Sequence, residues 1–201
     1  MVEPCGKIVR QYLDKFIDAL KRSVSSHREI AILIDEEGRV AEYEGSFGEV
    51  EIEFPERTKV MYHTHPSRKA PLHSLADIDA AQVLGAEISC VGTGDGEVAC
   101  WWVKDLKKIE STVARYMEKI KELWDDKLSK VVFGTEALGL PQDVLDKLVK
   151  SYLRYDFEET CRLVREHMPK YSWICDEFEK VVDKLNRLLK SWSCAEWRVK
   201  V

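Results

Sequence analysis

The sequence predicts an α/β domain over residues 1–104 followed by an all-helical region over 105–201, and three observations carry that reading. Before residue 104, one amphipathic helical stripe is followed by short β-branched runs bounded by turn residues. After it, two seams of apolar residues recur at three- and four-residue steps. No apolar run reaches the roughly 18 residues needed to span a bilayer, so a chain of 201 residues is expected to bury a core of its own, without a membrane partner.

Each element follows in order. Ile8, Val9, Tyr12, Leu13, Phe16, Ile17, Leu20 and Val24 fall on one face of a helix over about 7–25. Ile30-Ala-Ile-Leu-Ile34 suits a strand buried on both faces, and Asp35-Glu-Glu-Gly38 a turn. Segments 40–44 and 49–54 alternate, with Glu42, Glu44, Glu49, Glu51 and Glu53 directed to solvent. Pro55 interrupts, and Lys59-Val-Met-Tyr-His-Thr64 is the next strand. A helix over 74–86 precedes a hairpin of 88–91 and 98–103 about Gly94-Asp95-Gly96. Trp101 and Trp102, adjacent on a strand, face opposite ways, so one ring needs cover from the helical region.

Two seams mark the second half: Leu106, Ile109, Val113, Tyr116, Ile120 and Leu123, then Ile174, Phe178, Val181, Leu185, Leu188 and Trp192. They predict long helices that pack on each other or form a homodimer. Between them lie a loop from Gly134 to Pro141, a helix opened by Pro141, and a break at Pro169.

Charge and cysteines bound the function. Residues 1–104 hold 12 Lys/Arg and 18 Asp/Glu, a net of −6; the remainder holds 19 and 18, a net of +1. No basic face for phosphate backbones is present, so nucleic acid is not an expected partner. The start, Met1-Val-Glu-Pro-Cys-Gly-Lys7, lacks the layout of a secretion signal, which predicts a cytoplasmic protein. Its six cysteines form no Cys-x-x-Cys and are expected mostly as reduced, buried apolar residues. Cys90 and Cys100 flank the Gly94–Gly96 loop, where a cross-strand disulfide is the second reading.

The chemistry concentrates in Tyr62-His63-Thr64-His65-Pro66, followed by His73-Ser74-Leu-Ala-Asp77. On a strand, positions i and i+2 share a face, so His63 and His65 can converge on one ion. Pro66 ends the strand and leaves both rings at its rim. Two imidazoles, one carboxylate and a water form a catalytic zinc layout, with Asp77 supplying the carboxylate from a helix's first turn. Each piece alone has a plainer reading. A single His-x-His is commonly a surface or core pair, and Ser74-x-x-Asp77 is a helix capping box. A cap and a metal ligand are compatible, and the combination within 15 residues points to metal.

This run resembles the signature of the JAMM/MPN+ (JAB domain) metalloproteases, which is a Glu at the start of a strand, then His-x-His-Pro, then Ser-x-x-Asp. The resemblance covers about residues 7–103 and implies a mixed central sheet flanked by helices, of a compact prokaryotic type. It implies zinc held by His63, His65 and Asp77, Glu29 as the base that activates water, and Ser74 as a donor to the oxyanion. It implies an isopeptidase that removes a ubiquitin-like modifier from lysine. Alternatives are processing of the C-terminus of a small sulfur-carrier protein, or an inert MPN-type scaffold. His27, beside Arg28-Glu29, reads as an exposed helix end. One departure stands out: seven residues, Ser67 to His73, separate Pro66 from Ser74, where the family has six. Asp79 or His73 can then stand in for Asp77, and Glu36, Glu37 or Glu42 for Glu29.

Overall fold

The computed structural model describes residues 4–45, 57–66 and 73–201. The expected strand 49–54, with Glu49, Glu51, Glu53 and Pro55, lies outside them, as does most of the loop from Ser67 to His73. Two compact units are present, one of residues 1–113 and 186–201, the other of 114–185.

The first unit opens with α1 (Cys5–Arg10) and α2 (Leu13–Ser26), a break at Gln11-Tyr12 dividing the expected single helix. The stripe survives the break, since its Ile8, Val9, Phe16 and Leu20 are buried and Tyr12, Leu13, Ile17 and Val24 half-buried. Strands β1 (Ile30–Asp35), β2 (Val40–Glu44) and β3 (Thr58–His65) follow, then α3 (Leu75–Val83), β4 (Ile88–Thr93), β5 (Glu97–Trp102) and α4 (Val103–Lys121). The last strand, β6 (Ala195–Arg198), adds a non-helical element to the half expected to be all helix. Sheet order is β2-β1-β3-β4-β5-β6, antiparallel except for β3 and β4. A parallel pair needs a crossover, and α3 supplies it. The crossover therefore brings the end of β3 and the start of α3 together, where α/β folds collect ligands.

Alternation divides the sheet into two faces. Ile30, Ile32, Ile34, Val60, Tyr62, Ile88 and Cys90 pack with α1 and α2, while Leu33 and Met61 pack with Ala81, Leu84 and Val103. Trp101 is fully buried and donates its indole N–H to Leu189 O at 2.7 Å.

In the second unit the end of α4 passes into a π-helical turn, Glu122–Leu128, and α5 (Ser129–Val132). Then come α6 (Gln142–Leu153), α7 (Phe157–His167) and α8 (Ser172–Trp192), with Pro141 one position earlier than expected, at the N-cap. Leu123, Phe178 and Val181 of the two seams share one core with Leu148 and Val164 of the intervening helices, so the seams do not meet as a simple pair. Among the described residues no helix is long and apolar enough to cross a membrane.

All six cysteines are paired, as Cys5–Cys194, Cys90–Cys100 and Cys161–Cys175, which corrects the expectation of reduced, purely apolar thiols. Cys90 and Cys100 sit directly opposite in the β4–β5 register. The other two pairings join elements far apart in sequence or on successive helices, where no spacing rule reaches.

Candidate metal centre

His63 and His65 end β3 on the face shared with Met61, towards α3. Both are buried, and their ring centroids are 4.8 Å apart. Opposite His63 on β1 is Ala31, whose small side chain leaves that part of the face to the imidazole.

The start of α3 supplies the carboxylate. Ser74 caps the helix: its hydroxyl accepts from the Asp77 N–H at 3.1 Å, and Asp77 Oδ2 accepts from the Ser74 N–H at 2.6 Å. Asp77 Oδ1 lies 3.3 Å from His63 Nε2, and Oδ2 lies 3.8 Å from His65 Nε2. The capping box thus fixes the carboxylate with one oxygen on the helix and the other towards His63. Burial alone would raise the Asp77 pKa, but the His63 ring, by charge and hydrogen bond, and the rings of His65 and His73 hold it well below the usual carboxylate range.

His73, weighed from sequence only as a substitute, stands inside the cluster. It is fully buried between His63, at 5.6 Å between ring centroids, and Trp101, edge-on at 4.7 Å. Among the described residues, donor atoms of His63, His73 and Asp77 all lie within 4.8 Å of one another and could hold a metal ion. Burial first, and then the charge of His63, lowers the His73 pKa to about 3, with Asp77 and a Ser89 backbone group pulling the other way. The ring is therefore neutral near pH 7, the form that binds metal.

Glu29 lies just before β1 and is half-buried. Its carbonyl accepts from Gly45 N at 2.9 Å, so the ladder with β2 runs one step past the strand. Ala31 pairs with His63, and continuing that register sets Glu29 level with His65 on the same face. A buried hydroxyl relay fixes this stretch. The Ser23 hydroxyl donates to Arg28 O at 2.5 Å, which uses its only proton, so the Thr64 hydroxyl donates to Ser23 Oγ at 2.6 Å. Thr64 Oγ1 in turn accepts from the Ile30 N–H at 2.9 Å. Thr64, the middle residue of His-x-His, thereby clamps the backbone on both sides of Glu29. Nothing in the sequence marked Thr64 or Ser23, because their partnership spans 41 residues.

The alternatives stand elsewhere. Asp79 is exposed on α3, and Glu36 and Glu37 are exposed in the β1–β2 turn beside Arg57 and Arg39. Glu42 points outward from β2 and pairs with Arg22 at 2.8 Å. His27 ends α2 in a left-handed conformation, exposed, with Nδ1 2.8 Å from Val24 O. Compared with protein-family models, curated proteins and solved structures, the chain matches none.

Proposed function

We propose that this chain is a zinc-dependent metallopeptidase of the JAMM/MPN+ kind that hydrolyses an isopeptide or peptide bond, removing a ubiquitin-like modifier from lysine. The observation that carries the reading is the divided use of Asp77, with one oxygen held by the helix cap and the other 3.3 Å from His63. A capping aspartate has no need of two neighbouring imidazoles; a metal-binding one does. Buried imidazoles and a carboxylate are a donor set that fits zinc, and His63, Asp77 and the motif's second imidazole, His65, would hold it. When bound, zinc supplies an acidified water and a Lewis acid for the scissile carbonyl.

The chain's own groups do the rest. Glu29, level with His65, accepts a proton from the attacking water and returns it to the leaving amine. The Ser74 hydroxyl accepts from Asp77 N–H, so its own proton remains to be donated to the carbonyl oxygen as that atom gains charge. The relay through Ser23 and Thr64 keeps Glu29 in register with the ligands.

The test is a panel of lysine-linked ubiquitin-like conjugates and linear fusions, incubated with zinc-loaded protein with and without chelator. Cleavage should require the metal, and Glu29→Gln should keep its zinc yet lose roughly 10²–10⁴-fold in rate. Cleavage indifferent to chelator, or at the normal rate in Glu29→Gln, would sink the reading. Preference for linear fusions would favour C-terminal processing of a carrier protein.

A further inference from the structure

Among the described residues, the four most exposed large apolar side chains are Val83, Leu138, Leu153 and Phe133, and the last three line a single groove in the second unit. Single exposed apolar residues are ordinary on a protein surface, whereas a cluster marks a place of contact. One wall is α6, which presents Leu145, Val149 and Leu153 at steps of four residues, with Lys150 and Arg154 in a second stripe beside them. The other wall is Phe133, at the end of α5, and Leu138, in the 3₁₀ turn Ala137–Gly139. That wall is held from behind: Phe133 meets the buried Tyr152 edge-on at 5.4 Å between ring centroids, and Ala137 is fully buried. We propose that this groove docks an amphipathic helix of a partner protein, with apolar side chains one turn apart and Asp or Glu along one flank.

Three features select that occupant. The first is the ridge of Leu145, Val149 and Leu153, which repeats once per helical turn. A helix laid alongside matches that spacing with its own i, i+4 side chains. The second is charge. Lys150 and Arg154 are exposed, and among the described residues neither has a carboxylate within ion-pair distance. Asp146, one turn before Lys150, instead accepts from the Gln142 side-chain N–H at 2.8 Å. The flank therefore offers two free cations one turn apart, and carboxylates at the same spacing on a partner helix meet both. A cation in the last turn of α6 also suits the helix dipole, but the dipole accounts for nothing in the apolar wall beside it. The third is openness. At about 530 Å³ the groove has room for a small ligand, yet its walls themselves stand in solvent, with Leu138 at 70% and Leu153 at 62% exposure. Sites for small amphiphiles enclose most of the ligand, and this one leaves it wet. A docked helix covers the exposed walls as well as the floor.

The experiment uses the full chain to select from a displayed library of helical peptides with randomised surface positions. The most enriched peptide is then synthesised, and its binding to the full chain is followed by fluorescence anisotropy at low and high salt. Two variants are compared, Leu153→Ser and the double change Lys150→Glu with Arg154→Glu; all three positions are exposed, so circular dichroism should show both folded. Enriched peptides should carry Leu, Ile, Met or Phe at three- and four-residue steps and Asp or Glu on one flank. The double charge reversal should weaken binding roughly 5–30-fold, and added salt should weaken it in the unmodified chain. Leu153→Ser should weaken it at least ~5-fold. No enrichment, an enriched pool without acidic residues, or a peptide that binds Leu153→Ser as tightly as the unmodified chain overturns the proposal. Sedimentation of the full chain as a dimer that Leu153→Ser separates also overturns it, because the groove then holds a second copy. Dodecanoate displacing the selected peptide at low concentration overturns it in favour of a lipid.

Discussion

His73 couples the cluster to pH. Its ring titrates near 3 in the folded chain and near the ordinary 6.5 in the unfolded one. Between those values the unfolded state binds more protons, so stability of the metal-free protein falls as pH falls from about 6.5 towards 3. The full difference corresponds to roughly 4–5 kcal/mol. Asp77 acts in the same direction at lower pH. Its depressed pKa contributes stability above the ordinary carboxylate range, and that stability is lost as pH drops through the depressed value. Urea midpoints of metal-free protein between pH 7 and 4 should therefore decline, and the decline should flatten in His73→Gln. An equal slope in both proteins would mean that His73 is not buried as described. Local chemistry of this kind was partly legible in the sequence. His63 and His65 share a face because strands alternate, and Ser74 and Asp77 meet because a capping box is a four-residue device. The burial of His73 against Trp101 was not legible, since it depends on a strand 28 residues further on.

Among the elements, β6 is the one the sequence concealed. Ala195-Glu-Trp-Arg198 is too short to announce a strand, and its partner β5 lies about a hundred residues earlier, with Val98 opposite Trp197. The N-terminal strands were legible because their runs are β-branched and bounded by Gly38 and Pro66, whereas β6 is specified by what it lands on. Gly96 is part of that landing. It has φ +84°, and a Cβ there would stand 2.1 Å from Val199 O, just beyond β6. Gly85 has φ +66° at the end of α3 but open space around its missing Cβ. Gly85→Ala should thus cost only the left-handed backbone penalty, about 1–2 kcal/mol. Gly96→Ala adds a backbone clash and should cost about 2–4 kcal/mol in total. Denaturant unfolding of the pair separates the two contributions, and hydrogen exchange should show β6 amides losing protection in Gly96→Ala alone. Equal costs would mean that β6 does not press on this turn.

Across the whole molecule, covalent closure does what a local reading of the cysteines missed. Cys5 at the start of α1 and Cys194 just before β6 join positions 189 residues apart, both within the first unit. Gly6, next to that bridge, would bring a Cβ to 3.4 Å from Ala195, so α1 and the end of the chain are in contact beside it. Closing so long a loop removes much of the unfolded chain's freedom. The chain-entropy account puts the stabilisation at up to about 5 kcal/mol, against about 3 kcal/mol for a loop near 15 residues. Cys161–Cys175, with a separation of 14 in the second unit, is such a shorter loop. Non-reducing peptide mapping should recover Cys5 linked to Cys194 and Cys161 linked to Cys175. Replacing Cys5 and Cys194 by Ser should lower the melting temperature by roughly 10–20 °C. The corresponding change at Cys161 and Cys175 should lower it by roughly 6–12 °C. Calorimetry of the two double variants orders them. Recovery of free thiols at Cys5 and Cys194 in the untreated protein, or a larger loss from the second pair than from the first, would show that the ends of the first unit are held by packing and not by the bridge.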